Sequence, residues 1–75
     1  MDERELDARD LVCPLPVLKA RKALMGMTPG AVLKVLATDP AAPIDFGVFC
    51  ETNGHRLLST EKIDEVIVFR IERAN

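Results

Sequence analysis

The sequence predicts an α/β fold, a two-layer sandwich in which two helices cover one face of a mixed four-stranded sheet. Its 75 residues suffice for one small domain, so residues 1–75 are interpreted as a single unit. Segments with the apolar periodicity of strands alternate with helical segments in the order β-α-β-α-β-β. The turn sequences MTPG, DPAAP and NG separate several of these segments.

The first strand is short and the first helix is well marked. RELDAR (4–9) alternates weakly and predicts a short strand that ends near Asp7 or Ala8. A helix is expected from Pro14 to about Met25, because proline suits a first turn and good helix formers follow it. Gly26 is expected to end it. The stripe expected to face the sheet comprises Val17, Ala20 and Leu24, extended by Leu18 and Met25.

The second strand follows a predicted turn. MTPG (27–30) suits a type II turn with Pro29 and Gly30 at its centre. AVLKVLAT (31–38) is apolar on both faces except at Lys34, which is typical of a central parallel strand.

The second helix is predicted from about Ile44 to Thr52, after the loop DPAAP (39–43). Asn53-Gly54 is a typical helix stop. The side chains expected to face inward are Ile44, Val48 and Phe49.

Two further strands, at 55–62 and 65–73, are joined by a tight turn at Ile63-Asp64. The last strand carries apolar residues on both faces, which favours a central position. Right-handed crossovers would place both helices on one side of the sheet. The first three strands are then parallel and the last is antiparallel to them.

The composition excludes several classes of protein. The chain is 48% hydrophobic and 29% charged, which is ordinary for a globular domain, and its net charge of -2 argues against stable binding of nucleic acid by charge alone. The acidic opening MDERELDARD does not resemble a secretory leader, and no segment has transmembrane length. We therefore expect a cytoplasmic protein without membrane contact, with reduced thiols. The spacing of the two cysteines and one histidine predicts no metal site.

Cys13 is the principal candidate site residue. A lone cysteine is most often a buried, inert residue. Cys13, however, follows a strand and stands at the predicted N-cap of a helix, and in α/β folds the C-terminal ends of parallel strands form sites. The positive helix end favours a thiolate, so we expect its pKa to lie below the free value of about 8.5.

The prolines on either side of Leu15 fix the backbone beside the thiol. Pro14 and Pro16 restrict φ and supply no N–H, so the sulfur would be held on a stiff platform. The N–H of Leu15 is expected to remain as a donor near the sulfur.

CPLP at 13–16 resembles the Cys-Pro-x-Pro motif of TusA-like sulfur carriers, also called SirA-like proteins. LDARDLVCPLPVLKARKAL is similar to that family's opening segment, and the likeness covers nearly the whole chain. The further pairs at matching spacing are PG at 29–30, DP at 39–40, DF at 45–46, FC at 49–50 and GH at 54–55. The resemblance implies the same β-α-β-α-β-β fold.

The resemblance also implies a function. Cys13 would accept sulfane sulfur as a persulfide from a cysteine desulfurase or a rhodanese-type donor, with Pro14 and Pro16 as its frame. It would relay this sulfur to an acceptor protein in tRNA thiolation, molybdenum-cofactor biosynthesis or sulfur oxidation. Such a protein is an enzyme only as half of a transferase reaction, and no cofactor is implied. Leu15 occupies the motif's variable position, which is glutamate in some members, so the donor, acceptor and pathway stay open.

The remaining candidates have plainer explanations. Cys50, late in the second helix, is expected to be a packing residue distant from Cys13; the alternative is a resolving thiol. His55 is expected to be structural and at the opposite end of the sheet from Cys13. Lys19, Arg21 and Lys22 are most often a solvated face, although they could meet an acidic partner. An acidic rim near Cys13, serving docking or solubility, is predicted from Asp10, Asp39, Asp45, Asp64 and Glu65.

Two other functions compete with the sulfur carrier. One is a non-catalytic module that docks a protein or RNA and uses CPLP only as a rigid turn. The other is a redox protein that forms a reversible disulfide between Cys13 and Cys50. The two layers should bury most of the apolar surface, so a monomer with transient partner contacts is expected.

Overall fold

The structure, a computed structural model, describes residues 3–74. These residues form four strands and two helices in the predicted order: β1 (Glu3–Ala8), α1 (Leu15–Met25), β2 (Val32–Ala37), α2 (Ala42–Asn53), β3 (Arg56–Ile63) and β4 (Val66–Glu72). The β-α-β-α-β-β prediction is confirmed.

The strands form one mixed sheet in the order β1-β2-β4-β3. β1 pairs with β2 in parallel, and β4 is antiparallel to both β2 and β3. The first three strands therefore share one direction, and β4 is central, as predicted. The helices contact each other and the sheet; α1 lies against β1 and β2, and α2 against β3 and β4. Both helices consequently cover the same face.

Two glycines with positive φ lie where the chain leaves one element for the next. Gly30 has φ +88°, and the N–H of Ala31 donates to the carbonyl of Thr28 at 3.0 Å, which fits the predicted type II turn. Gly54 ends α2 in the left-handed conformation, at φ +75°. Gly26 ends α1 without a positive φ; its N–H bonds to the last turn.

The core lies between the helices and the sheet. Phe46 of α2 packs on Phe69 of β4 with ring centroids 4.6 Å apart, and both side chains are fully buried. The other fully buried large side chains are Leu24, Leu33, Val35 and Ile71. A small chain thereby obtains one continuous core.

The predicted inner face of α2 was wrong at two positions. Ile44 is 74% exposed and Val48 is 61% exposed, whereas Phe49 is buried as expected. The helix carries two apolar stripes, and the one that packs inward contains Phe46 and Phe49, whose rings bury more area. Ile44 and Val48, spaced four apart, lie on the other side.

The inner face of α1 was predicted in part. Ala20 and Leu24 are buried and Val17 packs against the core, as expected. The predicted extension through Leu18 and Met25 was wrong, because both side chains are half or more exposed. A period of 3.6 residues places these two opposite Ala20.

The uncovered face of the sheet carries ion pairs that cross the strands. Lys34 pairs with Glu5 at 3.6 Å, and Arg70 lies between Glu3 at 3.7 Å and Glu61 at 3.2 Å. This accounts for the one charged residue of β2, which points away from the core.

Candidate functional site

Cys13 lies in the loop between β1 and α1, at the C-terminal end of β1, and it is exposed. α1 begins at Leu15 with Pro14 at its N-cap, so Cys13 precedes the N-cap by one residue and the predicted N-cap position was wrong. The reason is that Pro14 adopts a conformation outside the helix, with φ -99° and ψ 15°. The Cys13–Pro14 peptide bond is cis.

The N–H of Leu15 does not donate a hydrogen bond to the Cys13 sulfur. It donates to the carbonyl of Val12 at 2.9 Å, which closes a turn around Cys13 and Pro14. The expectation of a free donor beside the thiol was therefore wrong. Since Pro14 and Pro16 have no N–H, the start of α1 offers the sulfur little hydrogen bonding from its first residues.

Asp39 ties the Cys13 loop to the loop between β2 and α2. Its carboxylate accepts the backbone N–H of Cys13 at 2.6 Å and that of Ala41 at 3.0 Å. One side chain thus fixes the backbone of the candidate cysteine and orders the approach to α2. Sequence analysis placed Asp39 near Cys13 but did not identify this bond.

The predicted acidic rim lies at one end of the sheet. Asp10 stands at the end of β1, and its N–H donates to Thr38 Oγ1 at the end of β2. The turn between β3 and β4, which contains Asp64 and Glu65, falls at the same end because Ala37 pairs with Ile67. Of its members, Asp39 accepts the N–H of Cys13, and Asp45 lines a cleft together with Cys13.

The Cys13 thiol is less acidic than expected. A hydrogen bond to the Asp45 carboxylate raises the pKa of Cys13, and partial desolvation and the charges of Asp45 and Asp39 act in the same direction. The predicted depression of this pKa was wrong, because the thiol stands outside the first turn of α1 and faces two carboxylates.

An open cleft of about 290 Å³ lies beside the thiol. Its lining residues come from the Cys13 loop and both helices: Cys13, Pro14, Val17, Asp45, Val48 and Phe49. The lining is mainly apolar, and Asp45 is the acidic side chain in it. The cleft gives a second sulfur atom space next to Cys13 Sγ.

Exposed apolar side chains line the cleft or stand next in sequence to residues that line it, and we call this set the apolar collar. Its members are Val12, Leu15, Leu18, Ile44 and Val48. Three of them, Leu18, Ile44 and Val48, were predicted to face the core. The sequence did carry a signal for this surface: Leu15 and Leu18 are three residues apart, and Ile44 and Val48 are four apart, so each pair lies on one side of its helix. An exposed apolar patch of this kind often marks an interaction surface.

Cys50 and His55 lie elsewhere. Cys50 is 3% exposed within the core, and burial raises its pKa to about 11, so it packs as expected and does not line the cleft. His55 Nδ1 accepts the N–H of Ala74 at 2.9 Å, and its ring lies 5.5 Å from that of Phe49. These contacts fit the expected structural role of His55.

Lys19, Arg21 and Lys22 are exposed on α1. Within residues 3–74 neither helix has the length and apolarity needed to cross a membrane. Over the same residues, no three side chains of the metal-binding types converge on one point.

Comparison with known proteins assigns the family. The model of the family described as sulfurtransferase TusA matches residues 4–73. The chain belongs to the TusA sulfurtransferase family. Its relatives in this family include proteins described as sulfur carriers.

Two of these relatives match over almost their whole length. The chain is 47% identical over 72 residues to a putative sulfur carrier protein of Neisseria meningitidis serogroup A, covering 96% of this chain and 97% of the relative. It is 40% identical over 72 residues to the sulfur carrier protein TusA of Allochromatium vinosum, covering 96% and 95%. The crystal structure of a SirA-like protein from Desulfitobacterium hafniense superposes with a TM-score of 0.83 at 30% identity, covering 96% and 99%. The predicted family resemblance is thereby confirmed.

Proposed function

We propose that this protein carries sulfane sulfur as a persulfide on Cys13 and relays it between two partner proteins. The observation that carries the proposal is the contrast between the two thiols. Cys13 is exposed at the mouth of a cleft, on a backbone fixed by two prolines and by Asp39, whereas Cys50 is buried. Membership of the TusA family supports the same assignment.

The chemistry requires one accessible sulfur and little else. Cys13 Sγ attacks the outer sulfur of a donor persulfide, a new S–S bond forms, and the donor's own sulfur leaves as a thiol. Unloading is the same exchange in the other direction. No metal or redox cofactor takes part, because the total oxidation state of the sulfur atoms does not change.

The apolar collar supports transient docking of both partners. A cysteine desulfurase or a rhodanese-type protein is the proposed donor, and the acceptor is a further carrier or enzyme of tRNA thiolation, cofactor biosynthesis or sulfur oxidation. Two partners that must reach one sulfur in turn would use the same surface around it. We propose a cytoplasmic monomer, for which such contacts would be short-lived.

A redox pair is disfavoured by the burial of Cys50, and the net charge of -2 weighs against an RNA-binding module. The test is the intact mass of the protein after incubation with a cysteine desulfurase and cysteine. A carrier gains the mass of one sulfur atom, which a thiol reductant removes. A docking module shows no gain, and an internal disulfide appears as a loss of two hydrogens.

A further inference from the structure

Asp45 is placed to exchange a proton with the candidate cysteine. It lies in the first turn of α2, is half-buried, and lines the same cleft as Cys13. The proximity of its carboxylate raises the pKa of the Cys13 thiol. A plainer explanation for Asp45 is the favourable interaction of an acidic residue with the start of a helix. That explanation does not require contact with the sulfur.

The other charged groups around Cys13 are occupied or point away. Both carboxylate oxygens of Asp39 already accept backbone N–H groups, from Cys13 and Ala41. α1 contributes the apolar Val17 to the cleft, and its exposed cations, Lys19, Arg21 and Lys22, do not line it. Within residues 3–74, no cation lies within ion-pair distance of Asp45. Asp45 is thus the group whose carboxylate remains available to the thiol.

We propose that Asp45 is the proton acceptor and donor of Cys13 during sulfur transfer, an inference that rests on the carrier function proposed above. During loading, the proton of Cys13 Sγ passes to the Asp45 carboxylate as Sγ attacks the outer sulfur of the donor persulfide. The Sγ–S bond forms and the donor S–S bond breaks. The donor's leaving thiolate then takes the proton from Asp45. One thiol and one persulfide enter, one thiol and one persulfide leave, and no electrons are gained or lost.

Docking of a partner explains when the proton moves. In the free protein the carboxylate holds the thiol protonated, which protects it from alkylation and oxidation. A partner seated on the apolar collar would exclude water from the cleft. Burial disfavours a charged carboxylate, so proton transfer to Asp45 becomes easier in the complex. The same residue would suppress reaction in solution and assist it in the complex.

The test compares two reactions in Asp45→Asn, an isosteric variant that cannot take up the proton. The first is alkylation of Cys13 by iodoacetamide as a function of pH in the free protein. The second is the rate of sulfur loading, from a cysteine desulfurase with cysteine and separately from glutathione persulfide. Glu51→Gln removes an acidic charge from the exposed C-terminal part of α2, outside the cleft, and Asp45→Glu keeps a carboxylate. Circular dichroism verifies that each variant is folded.

The two reactions should change in opposite directions. In Asp45→Asn the midpoint of Cys13 alkylation should shift to lower pH, because the thiolate no longer lies beside a negatively charged carboxylate. Loading from both donors should fall by about tenfold or more, as expected for loss of a general acid–base group. Asp45→Glu should recover part of the loading rate, and Glu51→Gln should behave as the wild type in both reactions.

Three results would overturn the proposal. Unchanged or faster loading in Asp45→Asn would show that Asp45 only suppresses the thiolate. A loss confined to the desulfurase donor would make Asp45 a docking contact. If wild-type Cys13 accepts sulfur from neither donor, the carrier function itself fails and the proton role falls with it; the alkylation profile then still reports whether Asp45 contacts the thiol.

Discussion

The backbone N–H of Cys13 donates a 2.6 Å hydrogen bond to the carboxylate of Asp39, 26 residues further along the chain. The bond joins the loop that follows β1 to the loop that follows β2. Because these two strands are parallel neighbours, their C-terminal ends meet at the same edge of the sheet. The position of the candidate sulfur therefore depends on the second loop as much as on the prolines beside it.

Replacement of Asp39 should destabilise the protein and slow its loading. Asp39→Ala leaves the N–H groups of Cys13 and Ala41 without their acceptor, at a cost of about 1–2 kcal/mol in the free energy of unfolding, since both lie near solvent. Urea unfolding measures this cost, and Glu65→Ala, exposed in the turn between β3 and β4, is the control. An unchanged unfolding midpoint in Asp39→Ala would show that the bond contributes nothing.

A polar substitution in the apolar collar should separate docking from folding. Ile44 is 74% exposed, so Ile44→Ser should change the free energy of unfolding by less than about 0.5 kcal/mol. Loading from the desulfurase should nevertheless fall about fivefold, equivalent to the loss of about 1 kcal/mol of contact energy. Loading from glutathione persulfide should not change.

The matched control for the collar is Leu58→Ser. Leu58 is also exposed, but it lies on the edge strand β3 outside the cleft. The Leu58→Ser variant should accept sulfur from both donors at the wild-type rate. Equal loss of desulfurase-dependent loading in both variants would contradict a docking role specific to the collar.

His55 should make the stability depend on pH below about 6.5. Burial and the charge of Arg73 lower the pKa of His55 below its ordinary value of about 6.5. The unfolded chain therefore binds a proton at a higher pH than the folded chain. Stability should be complete above pH 6.5 and should decline as the pH falls below it. His55→Asn should have a flatter profile in this range by thermal unfolding; an equally steep one would assign the loss to other groups.

Cys50 should affect stability without affecting sulfur chemistry. Cys50→Ala removes one buried sulfur atom from the core and should cost about 1 kcal/mol. Burial raises the pKa of Cys50 to about 11, so above pH 8.5 the unfolded chain ionises first and wild-type stability falls. Urea unfolding of wild type and variant at pH 7.5 and pH 10 measures both effects. A wild type whose stability relative to Cys50→Ala does not fall at the higher pH would contradict the burial of this thiol.

The sequence allowed the arrangement of strands and helices to be predicted. Strand periodicity, turn residues and the right-handed crossover were sufficient to place β4 in the centre and both helices on one face. The orientation of α2 was not predictable from periodicity alone, since Ile44 with Val48 and Phe46 with Phe49 form two competing stripes. The stripe that contains Phe46 and Phe49 is selected by its packing on the sheet, where Phe46 lies on Phe69 of β4.

The sequence also identified Cys13 but not its electrostatic environment. The prediction of an acidic thiol rested on the helix that follows it. In the folded chain Asp45 comes from another helix, and its hydrogen bond raises the pKa of Cys13. Contacts between residues far apart in sequence decide such a balance, and composition and spacing do not reveal their distances.

The central claim is that Cys13 Sγ carries the transferred sulfur, and one measurement tests it most directly. Wild type, Cys13→Ser and Cys50→Ala are incubated with a cysteine desulfurase and cysteine, and intact and peptide masses are recorded. We expect one added sulfur on Cys13 in the wild type and in Cys50→Ala, and none in Cys13→Ser, which should remain folded because serine fits the same exposed position. Sulfur bound by Cys13→Ser, or located on Cys50, would contradict the account.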